Sequence, residues 1–270
     1  MKSTGLDDAT FKACCAATYG SDLASAVLGP TYHPGGRELT RRLARMGCIR
    51  PGERVLDVAS GPGHTALLLA EEFDAVVRGI DLSPTLVERA SSAASERKLA
   101  ERVSFEVADA ERLRAGQEHD LVFCECALCT FPDKRRAVEG FAAALAPGGR
   151  LCLSDVVIDR AGLPDELLGM VGRIACVAEA LPADGYLRLL EGSGLRVCGL
   201  EHHDDAVVDM VERIDARLAF VAAAGGRALA GLDLARAREL AAMAVAAVRD
   251  GVIGYVLVTA ELEGAASLRR

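Results

Sequence analysis

Compact apolar runs alternate along this chain with longer stretches whose apolar positions recur every three or four residues. Val55-Leu56-Asp57-Val58 is almost continuously apolar, as a strand buried on both faces requires. The pattern that follows predicts helix 64–72, strand 75–80, helix 84–98, strand 103–107, a short crossing near 110–115 and strand 120–125. Helix 134–146 stops at Pro147-Gly148-Gly149 and strand 150–156 follows at once. Helical stretches at 165–180 and 183–193, a strand at 195–203 and a last strand at 253–262 complete the core. Strands alternating with helices imply crossover connections and a parallel sheet.

Two segments stand outside that alternation. Phe11, Cys14, Cys15, Tyr19, Leu23 and Val27 recur at helical spacing, so residues 1–30 read as a helical arm. Thr31 to Gly36 breaks the chain, and a helix over 37–46 leads to the first strand. Residues 205–250 are helical by pattern, with Val208, Val211, Ile214, Leu218 and Val221 on one face and only Gly225-Gly226 interrupting. The expected division is an arm or lid over 1–48, a core over 49–204 and 252–264, and a helical cap over 205–251.

The chemistry begins at Ala59-Ser60-Gly61-Pro62-Gly63-His64, a tight turn between the first strand and a helix. Glycines there let the backbone turn sharply and let a ligand approach main-chain N–H groups. Gly79-Ile80-Asp81-Leu82 places an acid at a second strand end, about 20 residues on, where a carboxylate meets ribose hydroxyls. A third strand ends at Ala108-Asp109-Ala110. Three acids at three successive strand ends, Asp57, Asp81 and Asp109, resemble the S-adenosylmethionine site of class I methyltransferases. That resemblance implies an α/β fold with a doubly wound, mostly parallel, seven-stranded Rossmann-like sheet. It also implies cofactor contacts from Asp57, Ala59, Ser60, Gly61, Gly63, His64, Asp81, Leu82, Asp109, Ala110 and Cys124. A nicotinamide enzyme is the competing reading, although the third glycine of the dinucleotide loop is replaced by Ala66.

Composition narrows the partners. A net charge of −8 over 270 residues gives no basic excess for a nucleic-acid surface. No apolar run reaches the roughly 18 residues of a membrane helix, and Met1 to Asp8 lacks the apolar stretch of a secretion signal. A cytoplasmic enzyme with a small-molecule substrate is expected, and its nine cysteines are then mostly reduced thiols.

Cys152 and Cys198, inside strands, and Cys48, near a helix end, read as apolar filler. Cys124-Glu125-Cys126-Ala127-Leu128-Cys129 differs, because it stands at the end of the fourth strand. A structural zinc site is one reading, yet the paired Cys-x-x-Cys arrangement is missing. The segment resembles bacterial arsenite methyltransferases, whose fourth strand ends in Asn-Cys with a second Asn three residues after the Cys. Cys126 matches that cysteine, while Glu125 and Cys129 occupy the asparagine positions. Cys176, in the helix expected after the fifth strand, matches a further family cysteine. The cysteine that the family carries after the glycine loop falls on Ala66, and Cys14 or Cys15 on the arm could take its place. The resemblance implies arsenic ligation by Cys126, Cys129 and Cys176. Trivalent arsenic has its own lone pair and wants soft thiolate ligands. Sulfide or a small thiol, a quinone-type carbon or oxygen acceptor, and a binding protein without turnover remain alternatives.

The histidines divide similarly. His33, beside Pro34-Gly35-Gly36, is a candidate base, and His64 adjoins the glycine loop. His202-His203-Asp204-Asp205 reads either as metal ligands or as a solvated turn.

Overall fold

A computed structural model describes residues 7–113, 116–169, 172, 176–223 and 233–263. Its framework is a seven-stranded sheet in the order β3-β2-β1-β4-β5-β7-β6, built from β1 (Arg54–Val58), β2 (Val76–Asp81), β3 (Val103–Val107), β4 (His119–Glu125), β5 (Leu145–Ile158), β6 (Leu195–His202) and β7 (Ile253–Leu262). β1 to β5 pair in parallel, and β7 runs antiparallel to both β5 and β6. The expected doubly wound sheet is the one the chain forms. Sequence order reverses between β1 and β4, so the connections leave in opposite directions there and open a crevice at the strands' carboxyl ends.

Helices α4 (His64–Phe73), α5 (Pro84–Glu96), α6 (Lys134–Ala144) and α7 (Ala183–Glu191) cover the sheet. Their starts are written locally. Ser83 caps α5 with Pro84 at its first position, and the Asp133 side chain accepts from Arg136 N–H at the start of α6. The central strands bury both faces: Leu121 and Phe123 enter one apolar cluster with Leu43 and Leu67, while Val122 and Cys124 enter another with Leu56 and Phe141.

Several boundaries differ from the pattern. α6 ends at Ala144 and β5 begins at Leu145, five residues before the strand expected at 150. Pro147-Gly148-Gly149 lies in an irregularity where the register passes from His119↔Leu145 to Leu121↔Arg150, with Gly148 at φ 74°. The arm is two helices, α1 (Asp8–Tyr19) and α2 (Asp22–Leu28), because Ser21 caps a new start after Gly20. It is followed by α3 (Gly36–Met46). Within the helix expected over 165–180, the described residues form a 3-10 turn at Asp165–Leu168, Gly172 is helical, and Cys176 stands in a turn at φ 65°. Residues 170, 171 and 173–175 of that expectation lie outside the described residues, as does the Gly225-Gly226 break.

Between β6 and β7 run α8 (Asp205–Ala223) and α9 (Leu234–Arg249). α8 packs on the arm, where Arg217 donates to the carbonyls of Val27 and Leu28. Two cysteines expected as buried filler are exposed: Cys48, past the end of α3, and Cys198, on the open face of edge strand β6. An edge strand covered on one side alternates buried and exposed positions, and Cys198 falls on the exposed phase. Cys152, in β5, is fully buried as expected.

Candidate active site

A cavity of about 160 Å³, open to solvent, lies over the crevice between β1 and β4. The β1 turn forms one wall. Ser60 N–H donates to Ile80 C=O of β2 at 2.9 Å, and Gly63 N–H to Ser60 C=O at 3.0 Å folds the loop back on itself. Gly63 begins α4 at φ 84°, and a Cβ there would stand 2.7 Å from Phe105 Cζ. Only glycine satisfies both constraints. A Cβ on Gly61 would meet nothing within 4 Å, so that face of the loop is open.

The acids at the strand ends are held in different ways. Asp81 accepts from Gly61 N–H through Oδ2 and from Ser83 N–H through Oδ1, both at 2.8 Å, tying the loop to β2. Burial pushes its carboxyl up from the usual range, against those hydrogen bonds. Asp57, buried under the loop, bonds Ala66 N–H, and burial followed by the charge of Glu125 pushes its carboxyl well up. Asp109 is reached from the arm: Lys12 Nζ lies 3.0 Å from Asp109 Oδ2 and 2.5 Å from Glu111 Oε2.

At the end of β4, Glu125 is gripped by side chains from other elements. Its Oε2 accepts from Thr65 Oγ1 at 2.6 Å and from Thr40 Oγ1 at 3.1 Å, and His33 Nε2 stands 3.7 Å away. His33 is fixed in turn by a 3.1 Å contact from Nδ1 to the Pro34 carbonyl. That carbonyl can only accept, so Nδ1 carries the proton.

Beyond Glu125 the chain turns sharply, with Cys126 at φ 51°. The thiols of Cys126, Cys129 and Cys176 lie close enough to shift one another's ionisation. Cys176 Sγ also contacts the Cys126 carbonyl at 3.4 Å, and the Tyr19 hydroxyl of α1 lies 3.8 Å from the same sulfur. Hydrogen bonds from Cys126 and Cys129 pull the Cys176 thiol well below its ordinary range, helped by Tyr19 and by the Lys134 charge. Burial pushes Cys129 up. The Cys129 amide is anchored by Asp155 Oδ2 at 2.8 Å.

Of the sequence-derived site residues, Asp57, Ala59, Ser60, Gly61, His64, Asp81, Leu82, Asp109, Ala110, Cys15, His33 and Cys126 border the cavity. Gly63 stands behind the loop, against Phe105. Cys124 lies wholly in the core and does not border the cavity, because its strand position points into the Leu56–Phe141 cluster. Cys14 does not border it either. Cys129 and Cys176 are buried beside Cys126. His203 pairs with Glu201 at 3.2 Å, and Asp204 accepts from Tyr255 N–H at 2.9 Å. Among the described residues no group of three or more His, Cys, Asp or Glu side chains is arranged to hold a metal ion. Sequence reasoning missed Glu125 as a site residue, although an acid at a fourth strand end continues the rule that found the first three. It also missed Lys12, Tyr19, Tyr32, Thr40 and Thr65, which carry no motif and enter through tertiary packing.

Residues 49–183 match the family described as a methyltransferase domain. The chain is 37% identical over 129 residues to 27-O-demethylrifamycin SV methyltransferase of Amycolatopsis mediterranei, covering 47% of each chain. It is 31% identical over 162 residues to an arsenite methyltransferase of Halobacterium salinarum, covering 58% of this chain and 41% of the relative. Matches to the curated relatives thus span about half of their length. Among solved structures, Haemonchus contortus phosphoethanolamine N-methyltransferase 2 in complex with S-adenosyl-L-methionine superposes with a TM-score of 0.77 at 19% identity, covering 97% of this chain and 61% of that one. Geranyl diphosphate C-methyltransferase of Streptomyces coelicolor gives 0.66 at 16%, covering 93% and 98%.

Proposed function

The chain belongs to the methyltransferase-domain family, and from that premise we propose that it is a class I enzyme that uses S-adenosylmethionine and that its acceptor is trivalent arsenic held by Cys126, Cys129 and Cys176. The β1 loop suits the cofactor: Gly61 presents an open face, and Ser60 Oγ and Asp57 Oδ2 are buried without partners beside the cavity. When bound, the cofactor supplies a methyl group already activated by its sulfonium. The protein's share of the work is then alignment, which is worth roughly 7–11 kcal/mol when reacting atoms are held in line.

The observation that supports this acceptor is Cys126 at the cavity wall with Cys129 and Cys176 buried beside it. Soft sulfur ligands suit trivalent arsenic better than hydroxyls do. Arsenite would exchange its three hydroxyl groups for three thiols, each hydroxyl leaving as water with one thiol proton. The thiols would then hold the arsenic lone pair in line with the methyl group that the cofactor supplies, whose sulfur would keep the electron pair of the broken bond. No strong base is needed, consistent with a site that offers thiols and a histidine already bonded through Nδ1. The arm would serve as a lid, since Lys12, Tyr19 and His33 border the cavity, and α8 would brace it through Arg217.

A turnover screen with S-adenosylmethionine and glutathione, offering arsenite, sulfide, small thiols and quinols, tests the proposal. Cys126→Ser and Cys176→Ser should each abolish arsenite methylation and leave cofactor affinity unchanged. Exposed Cys198→Ser should keep full turnover. Full arsenite turnover in Cys126→Ser would overturn arsenic ligation. Turnover of sulfide or thiols with only partial loss in the variants would reassign the acceptor to sulfur.

A further inference from the structure

Cys126, at φ 51°, and Cys176, at φ 65°, both hold a left-handed backbone that glycine adopts more easily. Other residues keep that conformation only where the surroundings impose it. At Cys126 the surroundings are two consecutive residues of β5. The β4–β5 ladder ends at Glu125↔Ser154, and just beyond it the Ser154 carbonyl accepts from Cys126 N–H at 2.7 Å. Further along the turn, Asp155 Oδ2 accepts from Cys129 N–H at 2.8 Å. Between them Thr130 N–H donates to the Ala127 carbonyl at 2.9 Å and closes the turn on itself. β5 therefore pins the Cys126–Cys129 turn at both ends.

Asp155 is fully buried, and its Oδ1 accepts from Val156 N–H at 2.8 Å. That bond to the neighbouring amide locks the side chain and aims Oδ2 at Cys129. Leu153, Val156, Val157 and Ile158 around it are the apolar residues that a doubly covered strand calls for, and a carboxylate among them is costly to bury. What the acid provides there is two acceptors for two N–H donors. An amide side chain has one acceptor oxygen, so asparagine could keep one of these bonds and would face the other N–H with its own donor. The three thiols are thus placed by different means. Cys126 follows strand pairing, Cys176 Sγ reaches the Cys126 carbonyl at 3.4 Å, and Cys129 depends on Asp155.

We infer that Asp155 is a positioning residue that sets the Cys129 thiol beside Cys126 and Cys176, so that one arsenic atom can be held by all three. The inference rests on the proposed acceptor and deepens it, by naming what fixes the third ligand. Two trivalent arsenicals separate the third ligand from the other two. Arsenite has three hydroxyls to exchange for thiols, whereas methylarsonous acid has two. Each arsenic–sulfur bond forms as one hydroxyl leaves with one thiol proton as water, so no oxidant or reductant is consumed.

Calorimetric titration of the reduced protein with both arsenicals tests it without turnover. Asp155→Asn should lower arsenite affinity by roughly tenfold, as expected for a lost hydrogen bond to a charged group. Affinity for methylarsonous acid and for S-adenosylhomocysteine should stay nearly unchanged. Cys129→Ser should show the same split, and adding Asp155→Asn to it should lower arsenite affinity no further, because Asp155 acts through Cys129. Asp155→Glu, which keeps both acceptors on a longer side chain, should fall between wild type and Asp155→Asn and serves where the asparagine variant does not fold. Undiminished arsenite affinity in Asp155→Asn would overturn the inference and leave the acceptor standing. So would an equal loss on both arsenicals, or losses that add in the double variant, since a role in stability alone predicts those. A wild-type protein that binds neither arsenical would overturn the acceptor itself, and the inference with it.

Discussion

The ends of β1 and β4 face the same cavity but are assembled differently. At β1 the shape is made by backbone: positive φ at Ala59, Gly61 and Gly63, two loop-closing amide bonds, and an acid 20 residues on that accepts from Gly61 N–H. At β4 the shape is made by side chains from distant segments. Glu125 is held by Thr65 and Thr40, 60 and 85 positions away, while Cys176 reaches Cys126 across 50 positions and Tyr19 reaches Cys176 across 157. The difference suits two tasks. A cofactor common to a whole family can be met by a loop whose geometry travels with its motif. The β4 end draws on side chains from distant segments, whose identity the geometry of the β1 loop does not constrain.

The comparison can be broken most severely at Asp81. Asp81→Ala leaves Gly61 N–H and Ser83 N–H without their acceptor and unties the loop from β2. Hydrogen bonds to charged groups are worth roughly 1.5–3 kcal/mol, so affinity for S-adenosylhomocysteine should fall at least about tenfold in calorimetry. Unchanged affinity would show that the loop keeps its shape without that tie.

Thr65→Val should have a smaller effect, and one confined to the β4 side. It removes the 2.6 Å bond to Glu125 while Thr40 still holds the same oxygen. Affinity for S-adenosylhomocysteine should drop by no more than about a few-fold in the same calorimetry. A loss as large as that of Asp81→Ala would mean that the two strand ends act as one unit.

The smallest effect concerns pH. Burial, then the charges of Arg97, His33 and Arg37, lowers the His64 pKa from 6.5 to about 4. The unfolded chain takes up this proton as pH falls through 6.5, and the folded chain does so only near 4. Stability from this group is therefore complete above pH 6.5 and is lost between there and pH 4. His64→Gln should flatten that part of the Tm profile by a few degrees and leave the profile above pH 7 unchanged. An imidazole resonance titrating near 6.5 in the folded protein would contradict the assignment.

The alternation of strands and helices, the glycine loop and the acids at Asp57, Asp81 and Asp109 were legible in the sequence because their causes are local. Strand burial on both faces, helix caps and positive φ are requirements that nearby residue types must meet. Element ends were less legible. In the helix expected over 165–180 the chain turns at Cys176, at φ 65°, with Val177 and Ala178 N–H both donating to the Gly172 carbonyl. The spacing of Cys126 and Cys129 was visible, and the resemblance pointed to Cys176, but their nearness depends on a turn that no short pattern announces.

Glu125 marks the boundary between the two kinds of knowledge. The sequence by itself determined that an acid follows a buried strand and precedes a cysteine. Only the tertiary structure decided that Thr40 and Thr65 would clamp one of its oxygens and leave the other bare beside Asp57. A strand's apolar pattern fixes which way its residues point, through a two-residue period that neighbours enforce. Which polar groups meet a buried carboxylate depends on how α3, α4 and β4 pack, and the hydrophobic pattern that drives their packing leaves the polar contacts at their ends unspecified.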